Sequence, residues 1–214
     1  MKKLWSLGLV LALLLTGCGV GEKTEGEEAS PTPQVTESVP PAPTPDPVRE
    51  LLDSMTLEEK VGQLLIAGVA GTQPGEDGAQ LIRQDRVGGI ILFGHNVESE
   101  AQLAELTNGL KELNSGYIPL LLCVDQEGGR VERMPDTIRR LPDAYAVGKA
   151  EDPALWAAYG DLLAEECGSF GFNVDFAPVL DIWSNPDNKV IGRRAFGTDA
   201  DVVTRAGLTV LEAM

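Results

Sequence analysis

A cluster of ionisable side chains follows directly on an apolar run. In LLLCVDQEGGRVERMP, residues 120–135, the run over residues 120–124 leads into Asp125, Gln126 and Glu127, then two glycines, then Arg130, Glu132 and Arg133. A carboxylate at the end of a segment that must be buried stands at the rim of the pocket that segment floors. Gly128 and Gly129 let the backbone turn tightly and come close to a ligand. Asp125 supplies acceptors and Arg133 a planar fork of donors, a pairing suited to the hydroxyls of a neutral polyhydroxylated ring. The same residues would also make a salt-bridged loop with no ligand, and residue types alone do not separate the two. Arg130 and Glu132 are expected to be structural.

A second group lies in APVLDIWSNPDNKVIGRRAFGTD, residues 177–199. Asp181 closes an apolar segment, and the loop after it carries Asn185, Asn188, Lys189, Arg193 and Arg194. Arg194 immediately precedes Ala195, Phe196 and Gly197, which suggests a fixed side chain. An Asp181–Arg194 ion pair holding the loop is expected, whether or not Arg194 also meets a ligand. His95 is the single histidine of the chain, which excludes a multi-histidine metal site. Cys123 and Cys167 have neither metal-ligand spacing nor a close partner and are expected as buried free thiols. No metal and no cofactor are expected. The net charge of −16 makes nucleic acid and anionic headgroups poor partners.

The elements that must position these residues alternate in type. SMTLEEKVGQLL opens a helix, with Thr56 and Glu59 spaced as a capping box. LLIAGVAG (64–71), GGIILFG (88–94), IPLLLCVD (118–125) and FNVDFAPVLDI (172–182) read as buried strands. Between them, residues 99–114 form a helix with Leu103, Leu106 and Leu110 on one face. Asp152 and Pro153 mark the cap and first position of another, running to Gly171. Thr198 and Asp201 are expected to cap a last helix with an apolar face of Val203, Ala206, Val210, Leu211 and Met214. Near-continuous apolar strands alternating with helices imply a parallel sheet covered on both faces. His95, Asn96, Asp125 to Arg133, and Asp181 to Arg194 all follow strands, as sites do in a TIM-type β/α barrel. A doubly wound sheet would want a phosphate loop, and GVAGTQPGEDG has the wrong glycine spacing and no following lysine. A full barrel takes about 250 residues, whereas residues 48–214 show four strand–helix units and stop inside an apolar helical pattern. The expectation is a truncated barrel.

The N-terminus reads separately. Lys2 and Lys3 precede an apolar core over residues 4–15, too short for a comfortable membrane span. LLTGC, ending at Cys18, resembles the lipobox of bacterial lipoproteins, which implies a signal peptide over 1–17 and a lipid on Cys18. An ordinary signal peptide is the alternative. Residues 18–47 are rich in Pro, Thr, Ser and Glu, hold too little apolar surface to fold, and read as a linker. The expected location is outside the cytoplasmic membrane, held by the acyl anchor.

Five motifs in order, MTLEEKVGQLL, GGIILFGHN, VDQEGGRVERM, NVDFAPVLDI and VIGRRAFG, resemble the N-terminal half of glycoside hydrolase family 3 from about residue 51 onward. The branch they resemble is that of bacterial β-N-acetylhexosaminidases, which act on β-linked aminosugars of cell-wall or chitin type. The resemblance implies that Asp125, Arg133 and Arg194 bind the terminal sugar and that Asp181 orients the loop behind them. His95 falls where many relatives have arginine, and no catalytic role is assigned to it. The resemblance further implies retention through a covalent glycosyl-aspartate, with a His/Asp pair as acid/base. No motif here matches those groups. They are expected beyond residue 214, so this chain contains no catalytic residue and is expected to be inactive alone. A non-catalytic sugar-binding lipoprotein, and a β-glucosidase of the same family, are the alternatives.

Overall fold

The computed structural model describes residues 46–116 and 118–214. The expected leader, the lipidated Cys18 and the linker up to residue 45 lie outside the described residues. Asp46 and Pro47, which the sequence assigns to the end of the linker, instead open the first helix. Asp46 accepts hydrogen bonds from the amides of Val48 (3.0 Å) and Arg49 (3.2 Å), capping α1, Pro47–Ser54. Proline suits a first helical turn because its missing N–H would have no partner there. In α2, Leu57–Gln63, the capping box forms as expected: Glu59 N donates to Thr56 Oγ1 at 3.2 Å and Thr56 N to Glu59 Oε2 at 3.0 Å.

Four parallel strands follow: β1 Ile66–Gly68, β2 Gly89–Leu92, β3 Leu121–Val124 and β4 Val174–Asp175. Their spatial order is their sequence order. Each strand lies beside its predecessor, with no reversal of order such as makes the crevice of a doubly wound sheet. Helices fill the crossovers: α3 Glu76–Arg83, α4 Glu100–Leu113, α5 Ala144–Lys149 with α6 Pro153–Ser169, and α7 Ala200–Ala213 after β4. The result is a succession of β/α units in barrel order, as the alternating pattern implied.

Ile90, Leu92, Leu122 and Val124 of the sheet pack with Leu103, Leu106 and Leu110 of α4, each at most 1% exposed. This is the leucine face expected over residues 99–114. A second apolar cluster joins Val147, Trp156, Leu163, Val203 and Val210 around Phe196. Phe196, two residues after Arg194, thereby ties the second candidate loop to α5, α6 and α7.

Three expectations change. The fourth strand is expected over 172–182, but only Val174 and Asp175 pair with β3. β4 is an edge strand, Pro178 has no N–H to donate, and Phe176, Leu180 and Ile182 are 44–54% exposed. The apolar run is therefore mostly extended loop. The cap of α7 is Asp199, not Thr198, and it accepts from Asp201 N and Val202 N. Leu211, expected on the apolar face of α7, is 51% exposed. No helix among the described residues is long and apolar enough to cross a membrane.

Candidate carbohydrate site

Asp125 is the first residue after β3, and the chain then folds into a tight loop. Glu127 N donates to Val131 O at 3.0 Å, and Gly129 N to Leu141 O at 3.0 Å. Gly128 and Gly129 have φ of +73° and +59°, where a β-carbon is strained. A β-carbon on Gly128 would also meet Pro142 O at 2.7 Å, and one on Gly129 would meet Asp143 Cβ at 2.7 Å. The close approach anticipated for these glycines is thus to the protein's own 141–143 segment. It brings the loop against α5, whose cap is Asp143.

Asp125 and Arg133 are brought together but loosely. Arg133 Nη2 lies 3.9 Å from Asp125 Oδ2, and both side chains are about a quarter exposed. Arg133 Nη1 otherwise reaches only the carbonyl of Glu132, at 3.4 Å. The pair therefore keeps an acceptor and the Nη donors of Arg133 partly exposed, while Arg133 Nε is buried without a hydrogen-bond partner. Arg130 points elsewhere, donating to Lys189 O at 2.9 Å and to Val190 O. This is the structural role expected of it, and it staples the first loop to the second.

Arg194 is held differently from the expectation. Its partner is Glu127, not Asp181. Nε donates to Glu127 Oε2 at 2.7 Å and Nη2 to Oε1 at 2.6 Å, a bidentate pair in which the carboxylate side chain is only 6% exposed. The Glu127 hydrogen bond pushes the Arg194 guanidinium up from its ordinary value. Nη1 donates to Val190 O at 3.3 Å. Of the five guanidinium N–H groups, two stay uncommitted on the edge away from Glu127. Asp181 is exposed and makes no hydrogen bond or ion pair among the described residues. It sits on the extended segment beyond β4, near enough for its charge to act on Arg194 but without a hydrogen bond to it. Glu127 orients it instead, with its own carbonyl accepting from Tyr159 of α6.

Behind the loop lies a buried polar cluster that sequence reading missed. Gln126 is fully buried. Its backbone N donates to Asp175 Oδ1 of β4 at 2.9 Å. Its side-chain amide donates to Glu132 and to Glu166 Oε2 of α6, the latter at 2.7 Å, and its carbonyl accepts from Arg133 N at 2.8 Å. Desolvation drives Glu166 up to about 7 and Asp175 up to about 6. Burial pushes both expected free thiols up, Cys123 to about 11 and Cys167 further, and Cys167 Sγ donates to Asp175 at 3.5 Å. From sequence, Glu166 is only one more residue of a helix. Its signal is an acid at the core end of an otherwise apolar helical face.

His95 is exposed in a 3₁₀ turn, Gly94–Asn96, and its neighbour carries the structure. Asn96 is buried, accepts from Phe93 N at 2.9 Å and donates to Val69 O at 3.1 Å and Gly71 O at 2.7 Å, joining the loops after β1 and β2. Among the described residues no group of three or more His, Cys, Asp and Glu side chains is arranged to hold a metal ion.

Taken as geometry, the loops after β3 and β4 present an acceptor, a loose donor fork and a second, rigidly braced guanidinium on one side of the sheet. Comparison with known proteins bears on what they hold. The family model described as the glycosyl hydrolase family 3 N terminal domain matches residues 56–214. A β-hexosaminidase of Xylella fastidiosa is 39% identical over 157 residues, covering 71% of this chain and 46% of that protein. A family 3 β-N-acetylglucosaminidase from a Paenibacillus species aligns with a TM-score of 0.72 and 40% identity, over 75% of this chain and 31% of that one. NagZ from Neisseria gonorrhoeae, solved in complex with N-trifluoroacetyl-D-glucosamine, aligns with a TM-score of 0.63 and 32% identity, over 70% of this chain and 45% of that one. The chain spans less than half the length of each of these proteins.

Proposed function

Because this chain belongs to glycosyl hydrolase family 3, we propose that its protein removes terminal β-linked N-acetylglucosamine from cell-wall or chitin-type oligosaccharides, and that the residues described here grip the sugar. Asp125 accepts from ring hydroxyls. Arg133 and the free edge of Arg194 donate to them. The observation that carries this reading is the contrast between the two arginines. Arg133 is loosely paired and free to engage a ligand, while Arg194 is aimed by a bidentate carboxylate. Two guanidinium groups and one carboxylate around a neutral polyol give orientation without requiring a charged substrate.

The chemistry itself is assigned to none of these groups. Both oxygens of Glu127 are occupied by Arg194, and Asp125 faces Arg133. Cleavage with retention needs an aspartate nucleophile and a proton donor, and binding residues do not substitute for them. At the N-terminus, a lipid on Cys18 would hold the protein on the outer side of the cytoplasmic membrane, with residues 19–45 as spacer.

The test uses protein purified from its own cells, assayed on a chromogenic N-acetyl-β-glucosaminide beside the matching β-glucoside. Preferential turnover of the aminosugar, lost in Arg133→Ala, supports the reading. Preference for the glucoside, or turnover indifferent to Arg133, overturns it. Fractionation of cells carrying Cys18→Ser tests the anchor: the protein should leave the membrane fraction, and its staying there would refute lipidation at that residue.

A further inference from the structure

We propose that Gln126 is a positioning residue for the sugar-binding loop, the one side chain that fixes where Asp125 and Arg133 stand. The inference rests on the carbohydrate reading given above. Gln126 lies between Asp125 and Glu127 in sequence, so its neighbours on both sides serve the site, yet its own side chain turns inward and is fully buried. Its backbone N–H and both polar groups of its side chain are matched. The carbonyl takes the Arg133 amide at 2.8 Å. One amide group bridges two acids, Glu132 of the same loop and Glu166 of α6. The backbone N is anchored on Asp175 of β4. The loop is thereby tied to a helix and to a neighbouring strand through a single residue.

The ionisable groups around this amide are mostly acids, with Arg133 the cation among them. Glu132 and Arg133 come from the loop, Glu166 and Cys167 from α6, and Asp175 from β4. A neutral donor suits three partly buried carboxyl groups gathered around it, because a neutral amide adds donors without adding charge. Glutamate has the same shape but supplies a donor only when protonated. Position 126 is therefore a place where an isosteric change converts a constant clamp into a proton-dependent one.

Two variants at the gene's own locus test this. Gln126→Glu should raise KM for the N-acetyl-β-glucosaminide about tenfold over wild type at about pH 8, where a carboxylate at 126 cannot donate to Glu132 and Glu166, and the ratio should narrow as pH falls and the carboxyl regains a donor. Gln126→Met should raise KM at every pH, with kcat changed much less. A ratio that stays flat with pH in the glutamate variant, or an unchanged KM in the methionine variant, overturns the proposal. Hydrogen exchange at the Arg133 amide supplies a readout that needs no turnover. Its protection should fall in Gln126→Met, which removes the acceptor, while the melting transition remains cooperative. Unchanged protection refutes the positioning role. Lost protection in a protein that never cleaves an aminosugar would instead sustain the loop anchor and defeat the substrate reading.

Discussion

Replacing Glu127 by glutamine should cost both stability and sugar binding, and the structure gives the scale. The wild-type carboxylate accepts two charge-assisted hydrogen bonds from Arg194, at 2.7 and 2.6 Å, with its side chain 6% exposed and that of Arg194 25% exposed. Glutamine keeps the volume and one acceptor. It turns the second acceptor into an NH₂ group facing a guanidinium that is itself only a donor. A hydrogen bond to a charged group is worth about 1.5–3 kcal/mol, and the exposed edge of Arg194 allows water to recover part of that. The expected loss is about 2 kcal/mol, which for a domain of this size lowers Tm by roughly 4–8 °C. Arg194, no longer aimed, should also weaken sugar binding, so KM rises about tenfold on the scale of about 1.4 kcal/mol per decade. Glu127→Asp, which retains the charge but shortens the reach, should recover part of both effects. The assay is thermal unfolding beside steady-state kinetics on the chromogenic aminosugar. Wild-type Tm and KM in the glutamine variant would refute the claim that Glu127 positions Arg194.

Other residues separate binding from folding. Asp125→Ala should leave Tm within about 1 °C, since a partly exposed pair held at 3.9 Å contributes little, yet raise KM strongly; a large Tm fall would show that the pair is structural. Glu166 and Asp175, raised to about 7 and about 6 by desolvation, favour the folded state when protonated. Their contribution is fully present below the ordinary carboxylate range and is lost as pH rises through about 6 and about 7. Glu166→Gln should therefore raise Tm at about pH 8 and leave it unchanged at about pH 4, and a shift of equal size at both would contradict burial as the cause. A β-carbon on Gly148 would collide with the backbone of Phe196. Gly148→Ala should thus cost about 1–3 kcal/mol by overpacking and disturb Arg194 two residues upstream of Phe196, read as a lower melting point with a raised KM.

How much of this is legible in the sequence divides by the kind of contact involved. The capping box at Thr56 and the leucine face of α4 rest on spacing within one element, and the β/α order on the alternation of such elements along the chain, both of which a sequence displays. The long fourth strand misleads for the same reason. Its apolar character marks a strand, but pairing needs a neighbour, and β4 has one only over Val174 and Asp175. Among the site residues, Asp125 and Arg133 are visible because they share a loop.

Glu127 escapes a sequence reading although it stands two residues from Asp125. Its function depends on a partner 67 positions away, and Asp181 looks the better candidate because it is nearer to Arg194 in sequence. The folded chain reverses that choice for a physical reason. A carboxylate on an exposed extended segment can be fully hydrated and gains little from pairing, whereas the Glu127 side chain, only 6% exposed, must find a cation or bear the desolvation cost. Burial, rather than proximity along the chain, selects which acid binds Arg194. The loop after β3 accordingly performs two tasks with alternating side chains. Asp125 and Arg133 lie partly exposed where the proposed sugar would sit, Gln126 faces the core, and Glu127 faces the second loop, so a single turn sets the position of every group proposed to touch the sugar.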